Sequence, residues 1–169
     1  MLNNDAPKLQ VSNHQNHDSA TQFAKRMSPR DLFQLVYVSR SAASTRVERQ
    51  LQFAAIVDVS LRNNPARGIT GALALVGHRF VHIVEGARGE LTEAYDRILS
   101  DTRHDDIRLL RFGPVDRRAF AGWALATPSQ MTEGLVLWAA DAYEESRDKA
   151  EGAATMLVSA LALRLPNAA

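Results

Sequence analysis

Asn63-Asn64-Pro65-Ala66-Arg67-Gly68-Ile69-Thr70-Gly71-Ala72-Leu73 holds a helix stop, a turn and a strand start within one short stretch. Asn and Pro end helices, and Gly68 and Gly71 permit backbone that other residues resist. The stretch therefore divides a helix before it from a strand after it. Two side-chain amides stand at the corner, and an amide pairs with both donors and acceptors on a flat heterocycle.

Working outward, Phe33 to Ser39 reads as a buried strand and Arg40 to Ser44 as a loop. Thr45 and Glu48 have the spacing of a capping box, so a helix begins there. Leu51, Ala54, Ala55 and Leu61 form its expected main face, widened by Ile56 and Val59. Ala72 to Val76 and Phe80 to Glu85 are expected strands joined by a hairpin turn at Gly77-His78. Leu91, Ala94, Tyr95, Ile98 and Leu99 mark a second helix after Gly89. Ile107 to Phe112 and Phe120 to Leu125 are the expected last strands. The order β-α-β-β-α-β-β predicts an α+β fold, a ferredoxin-like sandwich with both helices on one face of a sheet.

Composition limits the function classes. The chain has 169 residues, a formal net charge of +1 and no cysteine. Disulfides, thiolate chemistry and Cys-based metal sites are excluded. A charge near zero offers no field for nucleic acid or an anionic membrane. The apolar run from Ala153 to Leu165 is interrupted by Thr155, Ser159 and Arg164 and falls short of the roughly 20 residues of a membrane span. A cytoplasmic protein is the expectation. Residues 1–30 are polar and predict a mobile tail, with His14 and His17 solvated rather than metal-bound. Residues 31–127 form the expected domain. Residues 128–169 form an expected C-terminal helical extension. Met131, Leu135, Trp138 and Ala142 make one stripe there, and Ala154, Leu157, Val158, Leu161 and Leu165 another, with a break near Gly152. These helices either cover the open face of the sheet or serve as a subunit interface.

Read as residues alone, the candidate groups have plain explanations beside sharper ones. Tyr37 is a mid-strand aromatic on the face of Phe33 and Leu35. In a ferredoxin-like sheet its strand neighbours the one carrying His82, so the two rings are expected side by side. Asn63 and Asn64 suit a helix end and turn. Arg103 and His104 suit a helix C-terminus. Arg117-Arg118 read as edge charges that deter aggregation, and Asp105-Asp106 as solvated turn residues.

The segments Phe80-Val81-His82-Ile83-Val84-Glu85-Gly86, Asp101-Thr102-Arg103-His104 and Arg117-Arg118-Ala119-Phe120-Ala121-Gly122-Trp123 follow the opening stretch in order. Together these segments resemble the BLUF family, flavin-binding domains that sense blue light. The resemblance runs from about Leu32 to Thr127. It implies a ferredoxin-like fold and FAD as cofactor, with a planar ring between Ile56 and Ile98. It further implies that Asn64, beside Asn63, binds the polar edge of that ring and that Tyr37 donates an electron to the excited flavin. The residue matching Arg103 reaches a flavin carbonyl or helps orient the polar end of the cofactor, Arg97, Ile98 and Asp101 match family positions along the second helix, and His104 belongs to the same expected site. His82 stands where the family has a glutamine relay, and Trp123-Ala124-Leu125 where it often has Trp-Ser-Met, so Tyr37, His82 and Trp123 are the expected photochemical set. Trp123 and Leu125 are expected on one face of the last strand.

An imidazole cannot make the amide switch of glutamine, so an altered or absent photocycle follows from the resemblance. The imidazole's reference pKa of about 6.5 predicts an absorption band that responds to pH within a unit or two of that value, lowered by burial or raised by a nearby acceptor. Implied partners are a second copy of the chain and an unidentified downstream protein, with neither nucleic acid nor membrane. The alternative is a light-insensitive scaffold or regulator derived from the same fold. An enzyme is not expected, because no nucleophile–base pair or Gly-rich phosphate loop is present.

Overall fold

A computed structural model of the chain describes residues 32–127 and 131–165. The expected tail, with His14 and His17, lies outside the described residues. Strand β1 spans Leu32–Ser41 and helix α1 Arg46–Asn63, followed by a 3-10 turn at Pro65–Arg67. Strands β2 (Thr70–Val76) and β3 (Arg79–Ala87) lead to helix α2 (Arg88–Leu99) and strand β4 (His104–Pro114). Helices α3 (Glu133–Glu145) and α4 (Arg147–Ala162) follow. The four strands are ordered β2-β3-β1-β4, and every neighbouring pair is antiparallel. This is the ferredoxin-like sheet expected from the element order.

Local chemistry sets the boundaries. Thr45 Oγ1 accepts from Glu48 N at 3.2 Å, and Glu48 Oε2 accepts from Thr45 N at 3.1 Å, closing the capping box of α1. At the other end, the Asn64 carbonyl accepts from Arg67 N and Ile69 N, which turns the chain from helix to strand. Gly68 (φ 61°) and Gly77 (φ 61°) take the left-handed conformation that their turns require.

The sheet alternates strictly between two faces. Leu35 and Tyr37 of β1, Leu73 of β2 and Val84 of β3 point to the face that carries α1 and α2. Val36, Val38, Ala72, Ala74, Val81 and Ile83 point to the other face, under Val136, Ala139, Ala153, Leu157 and Leu161 of α3 and α4. The sheet is thus sandwiched, and the second helical layer removes its apolar face from water.

Several expectations are corrected. Phe120 to Leu125 is not a strand. It bends at Gly122 (φ 84°) and meets β2 through a bond from Gly71 N to the Trp123 carbonyl and an isolated parallel bridge of Ala126 with Ala72. The buried side of α1 is Ile56, with Phe53 and Val57 partly covered. Leu51 of the expected main face is 65% exposed, because the inner face is set by the sheet beneath and not by the densest apolar stripe. Similarly α3 buries Val136, Ala139, Ala140 and Ala142, while Trp138 is 43% exposed. The break between the last two helices falls at Ser146, whose side chain caps α4 by accepting from Lys149 N at 3.2 Å. Gly152 lies inside α4.

The paired charges are structural. Asp105 binds Arg40 at 2.7 Å, and Asp106 binds Arg79 and Arg108 at 3.3 and 3.0 Å, so neither is simply solvated. Arg118 is not an edge charge. Its guanidinium donates to Thr70 Oγ1, the Glu85 carbonyl and the Gly68 carbonyl, each at 2.8 Å.

Candidate functional site

Both helices stand on the same face of the sheet, and a cavity of about 540 Å³ opens between them. Its floor is Tyr37, His82 and Val84. One wall is α1 and the turn after it, with Ile56, Ser60, Asn63 and Asn64. The other is α2 and the segment after it, with Arg97, Ile98, Asp101, Arg103 and His104. The volume lies in the range of small-molecule sites, and the floor is apolar with a few placed polar groups.

Tyr37 and His82 are direct partners across β1 and β3. The Tyr37 hydroxyl lies 3.0 Å from His82 Nδ1, and the rings meet edge to face with centroids 5.4 Å apart. Tyr37 is fully buried, and burial, followed by the charge of Asp101, raises its pKa, so the phenol keeps its proton. Burial, and then the neighbouring His104, pushes the pKa of His82 down to about 3. The imidazole is therefore neutral at ordinary pH. Of burial and a neighbouring acceptor, the two opposing influences expected, burial dominates, and it moves the titration below the expected range.

The other nitrogen, His82 Nε2, is buried and has no hydrogen-bond partner among the described residues. An unsatisfied buried polar atom in a cavity floor is a contact that awaits a ligand. A flat heterocycle with acceptor atoms along its edge fits it. Asn64 donates from Nδ2 to the Ala124 carbonyl at 2.7 Å, which fixes the amide at the cavity wall. Its Oδ1 receives no bond from a described residue and remains available to a ring N–H.

The segment after α2 is internally braced. Arg103 Nε and Nη2 donate to the Asp101 carboxylate at 2.6 to 3.0 Å. Burial raises the pKa of Asp101, but the bonds from Arg103 outweigh it and hold it low. His104 Nδ1 lies 2.9 Å from Ser39 Oγ, and its ring packs on Phe80 at 4.9 Å. Residues not anticipated from the sequence complete the rim. Arg67 ion-pairs with Glu90 and Glu93 of α2 at 3.2 and 2.9 Å and ties the two walls together. Ser60 sits one turn after Ile56 and one before Asn64, a spacing that places it beside both.

Trp123 is outside this cavity. It packs against the core under α3 and α4, whereas Leu125 packs with Ile56, Leu73 and Phe80. The expectation of a shared face fails because the bent segment has lost the two-residue period of a strand. Glu85, unassigned from sequence, anchors the start of that segment. Its fully buried carboxylate accepts from Ala119 N at 2.8 Å, Phe120 N at 3.1 Å, Gln34 Nε2 at 3.0 Å and Thr70 Oγ1 at 3.2 Å. A Glu followed by Gly inside a strand was the visible signal, but sequence does not show which face it occupies.

Comparison with known proteins agrees with this geometry. Residues 32–126 match the family model BLUF, sensors of blue light using FAD. The chain is 32% identical over 97 residues to photoactivated adenylate cyclase subunit beta of Euglena longa, covering 57% of this chain and 11% of that protein. The chain therefore spans about a tenth of the length of such curated relatives. Among solved structures, a bacterial light-regulated adenylyl cyclase aligns with a TM-score of 0.51 at 31% identity, over 57% of this chain and 27% of that one. The dark-state structure of BlrB, a BLUF protein, aligns with a TM-score of 0.57 at 25% identity, over 79% of this chain and all of that one.

Proposed function

This chain belongs to the BLUF family, whose members sense blue light with a flavin, and from that premise we propose that it binds FAD between α1 and α2 and signals through contacts with other proteins. The observation that supports this reading most is the unpartnered, buried Nε2 of His82 in the floor of a cavity that Asn64, Ile56, Ile98 and Arg103 also line. Ile56 and Ile98 supply the apolar faces, and Asn64 and Arg103 the polar edge. FAD, when bound, supplies the blue-light absorption and accepts an electron once excited.

Tyr37 is the donor residue in this reading. It is buried, protonated and held in one orientation by His82. His82 would accept the phenolic proton at Nδ1 as Tyr37 gives up its electron, and would pass its own Nε2 proton to the flavin, a relay that its neutral ring allows. The relay runs back along the same atoms. A buried imidazole clamped by Tyr37 has no second orientation comparable to a rotated amide. The light-driven state is therefore expected to collapse quickly to the starting one. The helices α3 and α4, which lie under Trp123, are the surface through which a partner would sense any change. Cytoplasmic placement and self-association remain part of the same proposal.

The test is a light-minus-dark spectrum of purified, flavin-loaded protein. The expected result is a yellow protein with quenched fluorescence and no slowly decaying red shift. His82→Gln should bring a red-shifted state, incompletely because Leu125 lacks the sulfur of methionine. Colourless protein that cannot be reconstituted with FAD would favour the scaffold reading. A full, slowly decaying red shift in the native chain would show that imidazole replaces the amide.

A further inference from the structure

Tyr37 and His82 together impose a direction on the hydrogen bond that the cavity offers. Two arrangements satisfy the 3.0 Å contact between the phenolic oxygen and Nδ1. In one, the phenol donates to Nδ1 and the imidazole proton sits on Nε2. In the other, Nδ1–H donates to the phenolic oxygen and Nε2 is a bare acceptor. Tyr37 is fully buried, and no other described residue bonds its hydroxyl. The second arrangement thus leaves two buried groups unmet, the phenolic O–H and the bare Nε2, whereas the first leaves only the Nε2–H. The difference is worth roughly a 10- to 100-fold tautomer preference.

We propose that Tyr37 is a positioning residue that locks His82 as a donor at Nε2, and that the cavity thereby selects the oxidised over the reduced state of its flavin. This rests on the flavin reading above. An oxidised isoalloxazine presents ring nitrogens as acceptors along its polar edge. Two-electron reduction with proton uptake converts such a nitrogen to N–H. Facing Nε2–H, it would set donor against donor. Relief requires the other tautomer, and that strands the phenol of Tyr37. The site is then adverse to reduction by the same roughly 10- to 100-fold, or about 30 to 60 mV for a two-electron couple.

Two measurements test this on the full chain. The first is side-chain ¹⁵N NMR of His82 in ligand-free protein, which needs no flavin. One pyrrole-like shift at Nε2 and one pyridine-like shift at Nδ1 are expected, with averaging toward a mixture in Tyr37→Phe. A proton found on Nδ1 in the native chain overturns the proposal. The second is the two-electron midpoint potential of FAD-loaded protein. It is expected to rise by about 30 to 60 mV in Tyr37→Phe. Equal potentials in the native chain and Tyr37→Phe, with the donor tautomer in place, overturn the selectivity and mean that a carbonyl, an acceptor in both states, faces Nε2. If FAD does not bind at all, the function proposed above fails, while the tautomer measurement still decides the lock.

Discussion

Lowering the pH from 7 to 5 measures how completely His82 is enclosed. Its pKa is pushed down to about 3, by burial first and His104 second. In the unfolded chain the same ring titrates near 6.5. Between those values the unfolded chain holds a proton that the folded chain refuses, so stability falls as the pH falls. Each pH unit inside that window costs about 1.4 kcal/mol. From pH 7 to pH 5 only part of the window is crossed, and the loss due to His82 comes to about 2 kcal/mol. His104, lowered mainly by burial, adds a loss of the same sign. Asp101 and Asp106 are held low in the folded chain, so their contribution is lost mainly below this range.

His82→Gln removes the His82 contribution and leaves the others. Urea unfolding of both proteins at pH 7, 6 and 5 separates them, with stability extrapolated to water at each pH. The native chain should lose about 2 kcal/mol more than the variant over this range. Parallel pH dependences would mean that the folded ring takes up a proton and that water reaches it. In that case both the donor–acceptor reading of the cavity floor and the quick collapse of the light-driven state lose their basis.

Three further outcomes are expected. Asn64→Ala should weaken FAD binding by about 1–3 kcal/mol, read by titration calorimetry, since it removes a polar contact from the ring and frees the Ala124 carbonyl; an unchanged affinity would remove Asn64 from the site. Glu85→Ala leaves two backbone N–H groups and two side-chain donors without their acceptor. It should cost about 3 kcal/mol or more, seen as a fall in Tm of roughly 6–12 °C, and a Tm within a degree or two of the native value would show that the segment from Ala119 is held by other contacts. Removing residues 1–30 should leave both the thermal transition and the FAD affinity in place, because their composition offers no face to bury; loss of either would show that they pack on the domain.

The extent to which this chain could be read from its sequence follows from the range of each interaction. The capping box at Thr45 and Glu48, the Gly77-His78 turn and the helix stop at Asn64 depend on neighbours a few residues away, so their signals sit in the sequence itself. The pairing of Tyr37 with His82 was legible one step further out, since strand order and a two-residue period fix which side chains share a face. The stripe of α1 failed because Ala and Leu scattered around a helix offer several apolar faces, and only the sheet decides which is used. Phe120 to Leu125 failed for a related reason. Its apolar residues suit a strand, but its backbone is directed from afar by the Glu85 carboxylate, the Arg118 guanidinium and the Asn64 amide. The same long-range control set the protonation of His82. Its charge state depends on burial first and on His104 second, and no spacing encodes either. What the site does chemically is therefore written less in His82 itself than in the buried phenol that fixes which of its nitrogens carries the proton.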